Sequence, residues 1–149
     1  MRRIGARGPE VSLLGLGCNN FGMKLDEAAS REVVAAALDA GVTHFDTAES
    51  YGGGRSEEYL GKSLAGRRDQ VVIATKFAAR PAGEAYRPGL LRRRILEGCD
   101  GSLHRLGTDR IDIYYQHHPD PEAPLAETLE ALAELVQAGK VRHTACSNF

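Results

Sequence analysis

The segment Phe45-Asp46-Thr47-Ala48-Glu49-Ser50-Tyr51-Gly52-Gly53-Gly54-Arg55-Ser56-Glu57 reads as a strand end, a loop and a helix start in succession. An acid closes the short apolar run Thr43–Thr47 (THFDT), a tyrosine follows five residues on, and three glycines open onto helical spacing. Working outward, Val11–Gly17 (VSLLGLG), Val71–Lys76 (VVIATK), Ile111–His117 (IDIYYQH) and Val141–Cys146 (VRHTAC) are further runs of this kind. Each is rich in branched or aromatic residues and short enough to be a strand.

The intervening segments carry helical periodicity. Asp26 is a candidate N-cap for a helix bearing Val33, Val34, Ala37 and Leu38 and stopped by Gly41, and Ser56 a candidate cap for one presenting Leu60 and Leu64. Pro88 suits the first turn of a third, with Leu91, Ile95, Leu96, Cys99, Leu103 and Leu106 ahead of Gly107. A fourth places Leu125, Leu129, Leu132, Leu135 and Val136 on one face before Gly139. Residues around Arg3 to Glu10 suit a small hairpin, and Ala79–Pro88 (ARPAGEAYRP) a loop at the end of the strand that carries Lys76.

Strand and helix alternating in this way imply a parallel sheet with right-handed crossovers, either doubly wound or a (β/α) barrel. Strand starts repeat at roughly 32 residues, so eight units need roughly 256, close to the ~250 of a closed barrel. The expected fold is α/β, a parallel sheet of about five strands and four helices; the repeat length is compatible with a partial (β/α)8 TIM barrel, which the family resemblance given below implies. Parallel strands bring their C-terminal ends to one rim, so Asp46, Lys76 and His117 should converge there.

Composition narrows the function classes. The 149 residues are 42% hydrophobic and 26% charged, with a net charge of −1, which fits one soluble domain and excludes disorder. No bulk charge draws the chain to nucleic acid or to an anionic membrane. Cys18, Cys99 and Cys146 are odd in number and lack zinc-ligand spacing, so free thiols in a reducing compartment are expected and no metal site. No apolar stretch follows Arg2 and Arg3, and the expected location is cytoplasmic.

Taken singly, Asp46 reads equally as a loop cap and Tyr51 as a packing residue. Together with Lys76 they suggest proton transfer, because a phenol with an ordinary pKa near 10 becomes a useful acid at neutral pH when an ammonium stands beside it. His117 could hydrogen-bond a substrate oxygen next to the phenol. Gly52, Gly53 and Gly54 lack the following Lys-Ser/Thr of a phosphate-binding loop. Arg92, Arg93 and Arg94 read as a solvated helix face, and His44, His104 and His143 as isolated structural or exposed histidines.

The segments FDTAESYGGGRSEEYLGKSL, VVIATKF, IDIYYQHHPDP and GKVRHTACSNF, with GLGCNNFG near the start, resemble signatures of the aldo-keto reductase family. The resemblance implies NADPH-dependent reduction of an aldehyde or ketone, with a small carbonyl substrate as partner and neither nucleic acid nor membrane. It implies a catalytic set of Asp46, Tyr51, Lys76 and His117. In it Tyr51 protonates the carbonyl oxygen as hydride arrives, Lys76 makes the phenol's proton mobile, Asp46 pairs with Lys76, and His117 positions the carbonyl while His118 forms a pocket wall. Gly17, Cys18, Asp46, Ser147 and Asn148 are the implied cofactor contacts. Residues 1–149 would be the N-terminal part of the family's barrel, with three C-terminal units absent. Open edges at the first and fifth strands and an apolar sheet face in water would then promote self-association. Two other readings stand beside this one: a lyase or aldolase forming a Schiff base on Lys76, and a non-catalytic binding or regulatory module.

Overall fold

A computed structural model describes residues 1–78 and 84–149. The chain opens with a two-strand antiparallel hairpin, β1 (Arg2–Arg3) and β2 (Glu10–Val11). The order is then β3 (Gly15–Gly17), α1 (Glu27–Asp39), β4 (His44–Asp46), α2 (Arg55–Ser63), β5 (Val72–Phe77), α3 (Leu90–Leu106), β6 (Ile111–Gln116), α4 (Leu125–Gln137) and β7 (Val141–Cys146). Strands β3 to β7 form one parallel sheet in sequence order. Each crossover therefore steps one place in the same direction. A doubly wound sheet must return and build the other way, so the unreversed order selects five strands and four helices of a (β/α)8 barrel.

Sheet faces separate cleanly. Phe45, Ile73, Phe77 and Tyr114 join Val34, Leu60, Leu91, Ile95, Cys99 and Leu135 in a core between strands and helices. The opposite face carries Gly15, Gly17, His44, Asp46, Val72, Ala74, Lys76, Ile113, Tyr115, His143 and Ala145, aligned by strand register. These residues are mostly small or polar. None of the large hydrophobic side chains exposed among the described residues lies on β3 to β7, so the expected apolar sheet face in water is not found. Exposure falls instead on Leu125, Leu129 and Val136 of α4, and on Leu13 and Leu14.

Other local expectations also shift. The run Val11–Gly17 is divided: Val11 pairs with Arg2 in the hairpin, and only Gly15–Gly17 enters the parallel sheet. Between them Ser12 and Thr43 exchange two backbone-to-hydroxyl bonds of 2.9 Å, which stitch the turn to the entry of β4. Asp26 caps α1 through Ala29 N–H as expected. Ser56 is not a cap: α2 starts behind Gly54, and the Ser56 hydroxyl is buried against the Cys18 carbonyl at 2.7 Å and the Thr47 hydroxyl at 2.8 Å. Pro88 lies outside α3, one residue before its N-cap Gly89. On α4 the covered stripe is Thr128, Ala131, Leu132 and Leu135, because α3 and β7 pack on that side alone. Residues 79–83 of the expected loop lie outside the described residues, and 84–88 are irregular.

Two buried acids hold the strands in place behind and below the rim. Glu57, fully buried, accepts from Thr75 Oγ1 and Arg105 Nε, each at 2.6 Å. Asp112 accepts from the Ile73 N–H at 2.9 Å, from Arg68 at 2.6 Å and from Arg142 at 3.2 Å, tying together β5, β6 and β7 near their starts.

Candidate active site

The rim chemistry starts from Lys76, whose side chain is 9% exposed. A buried ammonium needs acceptors. Its Nζ donates to Asp46 Oδ2 at 2.7 Å and to the Thr47 carbonyl at 2.8 Å, both at the end of neighbouring β4. Asp46 is 37% exposed, so the pair has one dry and one wet end.

After Asp46 the chain stays beside β5 for three residues, through Thr47 N–H to Ala74 O at 2.9 Å and Glu49 N–H to Lys76 O at 3.1 Å. It then turns sharply at Tyr51–Gly54, where Gly52, Gly53 and Gly54 take φ of 60°, 66° and 93°. Three consecutive left-handed residues require glycine. A Cβ on Gly52 would also stand 2.8 Å from the Phe21 carbonyl. This turn delivers the Tyr51 ring to a centroid distance of 5.2 Å from Lys76 Nζ.

His117 continues β6 by donating its N–H to Phe77 O at 3.1 Å. Its ring meets Tyr51 edge-on, with centroids 5.7 Å apart at 81°, and stacks on exposed His118 at 4.6 Å and 13°. Burial, helped by the neighbouring His118 and Lys76 and opposed by Asp46, pulls the His117 pKa below the usual imidazole value. The ring is thus neutral near pH 7 and able to offer one N–H to an oxygen. The four residues anticipated from the sequence, Asp46, Tyr51, Lys76 and His117, meet at one mouth.

The anticipated cofactor contacts divide. Gly17 is exposed on the same rim, and a Cβ there would meet no atom within 4 Å. Cys18 is turned away: it is fully buried, its N–H donates to Asp46 O, its carbonyl accepts from Ser56, and burial pushes its thiol up to about 12. Ser147 continues β7 through its N–H to Gln116 O at 3.0 Å. Asn148, at φ 60°, donates Nδ2 to the His117 carbonyl at 2.7 Å and to Ser147 Oγ at 3.1 Å, which brings its carboxamide beside the mouth.

Two contributors escaped the sequence reading. Tyr115 stands across from Lys76 in the β5–β6 register, its ring centroid 5.9 Å from Nζ. Strand alternation alone would have paired Tyr115 with His117 on the inner face. Glu49 accepts the Ala78 N–H at 2.6 Å through its side chain, a contact that no spacing rule announces. Among the described residues no group of His, Cys, Asp and Glu is arranged to hold a metal ion, and no helix is long and apolar enough to cross a membrane.

Comparison with known proteins gives a consistent answer. The model of the Aldo/keto reductase family matches residues 13–149. Aldo-keto reductase YhdN of Bacillus subtilis strain 168 is 45% identical over 152 residues, covering 98% of this chain and 46% of its own. A probable voltage-gated potassium channel subunit beta of Oryza sativa subsp. japonica is 39% identical over 142 residues, covering 93% and 43%. Among solved structures, aldo-keto reductase AKR11C1 from Bacillus halodurans, in its holo form, has a TM-score of 0.87 and 36% identity, covering 99% of this chain and 50% of its own. The chain spans about half the length of the relatives it matches.

Proposed function

The chain belongs to the aldo/keto reductase family, and from that premise we propose that it carries the proton-transfer side of an NADPH-dependent carbonyl reductase. The observation that carries this reading is the meeting of the Tyr51 phenol, the Lys76 amine, the Asp46 carboxyl and the His117 imidazole at the C-terminal rim of β4, β5 and β6. A closed (β/α)8 barrel needs three further strand and helix units beyond β7, and we assign the rest of the nucleotide's grip to them.

The rim fits a nicotinamide. Gly17 leaves open space where a side chain would intrude, and the Asn148 amide, with Nδ2 committed to His117, keeps its carbonyl oxygen to accept from a carboxamide. Gly17, Asp46, Ser147 and Asn148 would hold the ring, with buried Cys18 bonded to Asp46 and Ser56 on the far side. A reduced nicotinamide held by these residues would supply the hydride that the carbonyl carbon needs. Tyr51 gives its phenolic proton to the carbonyl oxygen, which gains charge as the carbon is reduced. Lys76 stands 5.2 Å from the ring centroid, on the side where proton loss leaves charge. Asp46 and the Thr47 carbonyl fix its position, and His117 orients the carbonyl by a hydrogen bond from its neutral ring.

The test compares wild type with Tyr51→Phe, in the 149-residue chain and in a form extended by the three further units. Nicotinamide binding is read by fluorescence quenching and turnover by loss of reduced-cofactor absorbance with an aldehyde. We expect turnover in the extended wild type, its loss in Tyr51→Phe, and cofactor binding little changed by the substitution. Equal turnover in both would eliminate the assigned acid. Borohydride capture of an aldehyde on Lys76 would favour the lyase instead. Cofactor binding without turnover on any carbonyl would favour a binding module, the reading to which the channel-subunit name of the rice relative lends weight.

A further inference from the structure

We propose that Glu49 is the positioning residue for Tyr51: its backbone and side chain together clamp the loop that carries the phenol onto β5, at the Lys76 carbonyl and the Ala78 N–H on either side of Phe77. This rests on the reductase reading for its purpose but not for its geometry. The parallel ladder between β4 and β5 continues beyond the regular strands through Thr47 N–H to Ala74 O and Glu49 N–H to Lys76 O. One more step would have paired the Ala78 N–H with backbone. The chain has by then turned away to place Tyr51, and the Glu49 carboxylate takes that N–H instead at 2.6 Å. A side chain thus completes the ladder at the point where the backbone leaves it.

The clamp is held from behind. Gly98 of α3 comes so close that a Cβ there would stand 3.1 Å from Glu49 Oε2 and 3.3 Å from the Tyr114 hydroxyl. Oε1 therefore faces Ala78 while Oε2 is backed by α3. Glu49 is half-buried, and burial, with nearby Glu57, pushes its carboxyl above the usual range against the Ala78 N–H and the cations Arg105 and Arg94. An acid kept in that setting away from the mouth, two residues before the phenol, is accounted for by the contact it makes. Its reach matters: aspartate keeps the charge but is one methylene shorter, whereas glutamine keeps the length and a carbonyl acceptor.

The experiment uses Glu49→Gln, Glu49→Asp and Glu49→Ala in the 149-residue chain, with Tyr51→Phe to assign the Tyr51 ring resonances. Glu49→Gln should keep the wild-type Tyr51 ring shifts and slow Ala78 amide exchange. Glu49→Asp and Glu49→Ala should move the Tyr51 signals toward those of an exposed tyrosine and speed Ala78 exchange at least tenfold, with Ile73 exchange unchanged. In the extended form the same two variants should lower kcat about tenfold and leave cofactor Kd within twofold. Unchanged Tyr51 signals in Glu49→Asp, or no rescue by glutamine, would overturn the proposal. If Glu49→Ala does not fold, the Asp and Gln pair still decides it. The resonance and exchange results hold even where no carbonyl is reduced, so failure of the reductase reading would show separately, as absent turnover in a wild type whose clamp is intact.

Discussion

The two ends of the Lys76–Asp46 pair differ in hydration, and this makes the pair separable by mutation. Lys76 is 9% exposed at its side chain and Asp46 37%, with 2.7 Å between Nζ and Oδ2. Asp46→Asn keeps the shape and one acceptor oxygen but leaves a dry ammonium facing only neutral oxygens. Removing one partner of a fully buried pair costs about 3–5 kcal/mol. Partial exposure and the retained acceptor reduce this to about 1–3 kcal/mol. Lys76→Met removes the charge that is expensive to bury, fills its stem, and leaves a carboxylate that water already reaches, for about 0–1 kcal/mol. The expected gap of about 1.5 kcal/mol corresponds to a difference of roughly 0.75 M in urea midpoint at a slope of about 2 kcal/mol/M. Urea unfolding followed by circular dichroism measures it, while both variants should lose carbonyl reduction in the extended form. A Lys76→Met protein less stable than Asp46→Asn, or an Asp46→Asn midpoint equal to wild type, would refute the assignment of the desolvation cost to the lysine.

Gly61→Ala should lower Tm by roughly 5 °C, because overpacking costs about 1–3 kcal/mol; its Cβ would stand 2.4 Å from the Leu106 carbonyl oxygen and 2.8 Å from Leu106 Cα, all rigid backbone where α2 crosses the end of α3. A scanning calorimetry Tm equal to wild type would contradict that crossing. Burial depresses the pKa of both His44 and His117 below 6.5, so under acid the unfolded chain takes up protons that the folded chain resists. Their stabilising contribution is complete above about pH 6.5 and is lost as pH falls through the folded values. The urea midpoint should drop on acidification from about pH 7 to 5, and less in the His44→Gln, His117→Gln double variant; an equal drop in both would refute this. Leu125, Leu129 and Val136 leave an apolar strip on α4, and β3 and β7 end the sheet, so the 149-residue chain should self-associate in sedimentation. Leu129→Lys with Val136→Lys should lower the mass, and a monomeric wild type would count against the strip.

The barrel was legible because its signals are local and repeated. Each apolar run, each helical stripe and each stop glycine could be read without its neighbours, and their alternation implied a parallel sheet, while the strand order separates a barrel from a doubly wound layer. Boundaries failed where one run served two partners. Val11–Gly17 reads as one short run, yet Val11 pairs with Arg2 and Gly15 with His44, and the Ser12–Thr43 exchange marks the division. Ser56 failed for a related reason. Its hydroxyl suits a helix cap, but the Cys18 carbonyl and Thr47 hydroxyl arrive from elsewhere and bury it within the first turn.

The site divides along the same line. Asp46, Lys76 and His117 were found because a parallel strand's last residues must reach the rim, and Tyr51 because it follows Asp46 by five residues at a glycine loop and falls within the family signature. What reading along the chain does not give is the bonding between segments that turns proximity into fixed distance. Asn148 illustrates the gap: its type suits both a strand-end turn and a cofactor contact, and the structure shows the turn bond to the His117 carbonyl while leaving an oxygen for the other use. Glu49 is the sharper case. Nothing in its spacing sets it apart from Ser50, and its importance arises only when Ala78, twenty-nine residues on, is left with an unpaired N–H beside it. Reactive groups leave a mark in sequence through their chemistry and the backbone they require. The groups that hold them are chosen by whatever orphaned donor the fold brings near, and so become visible only in three dimensions.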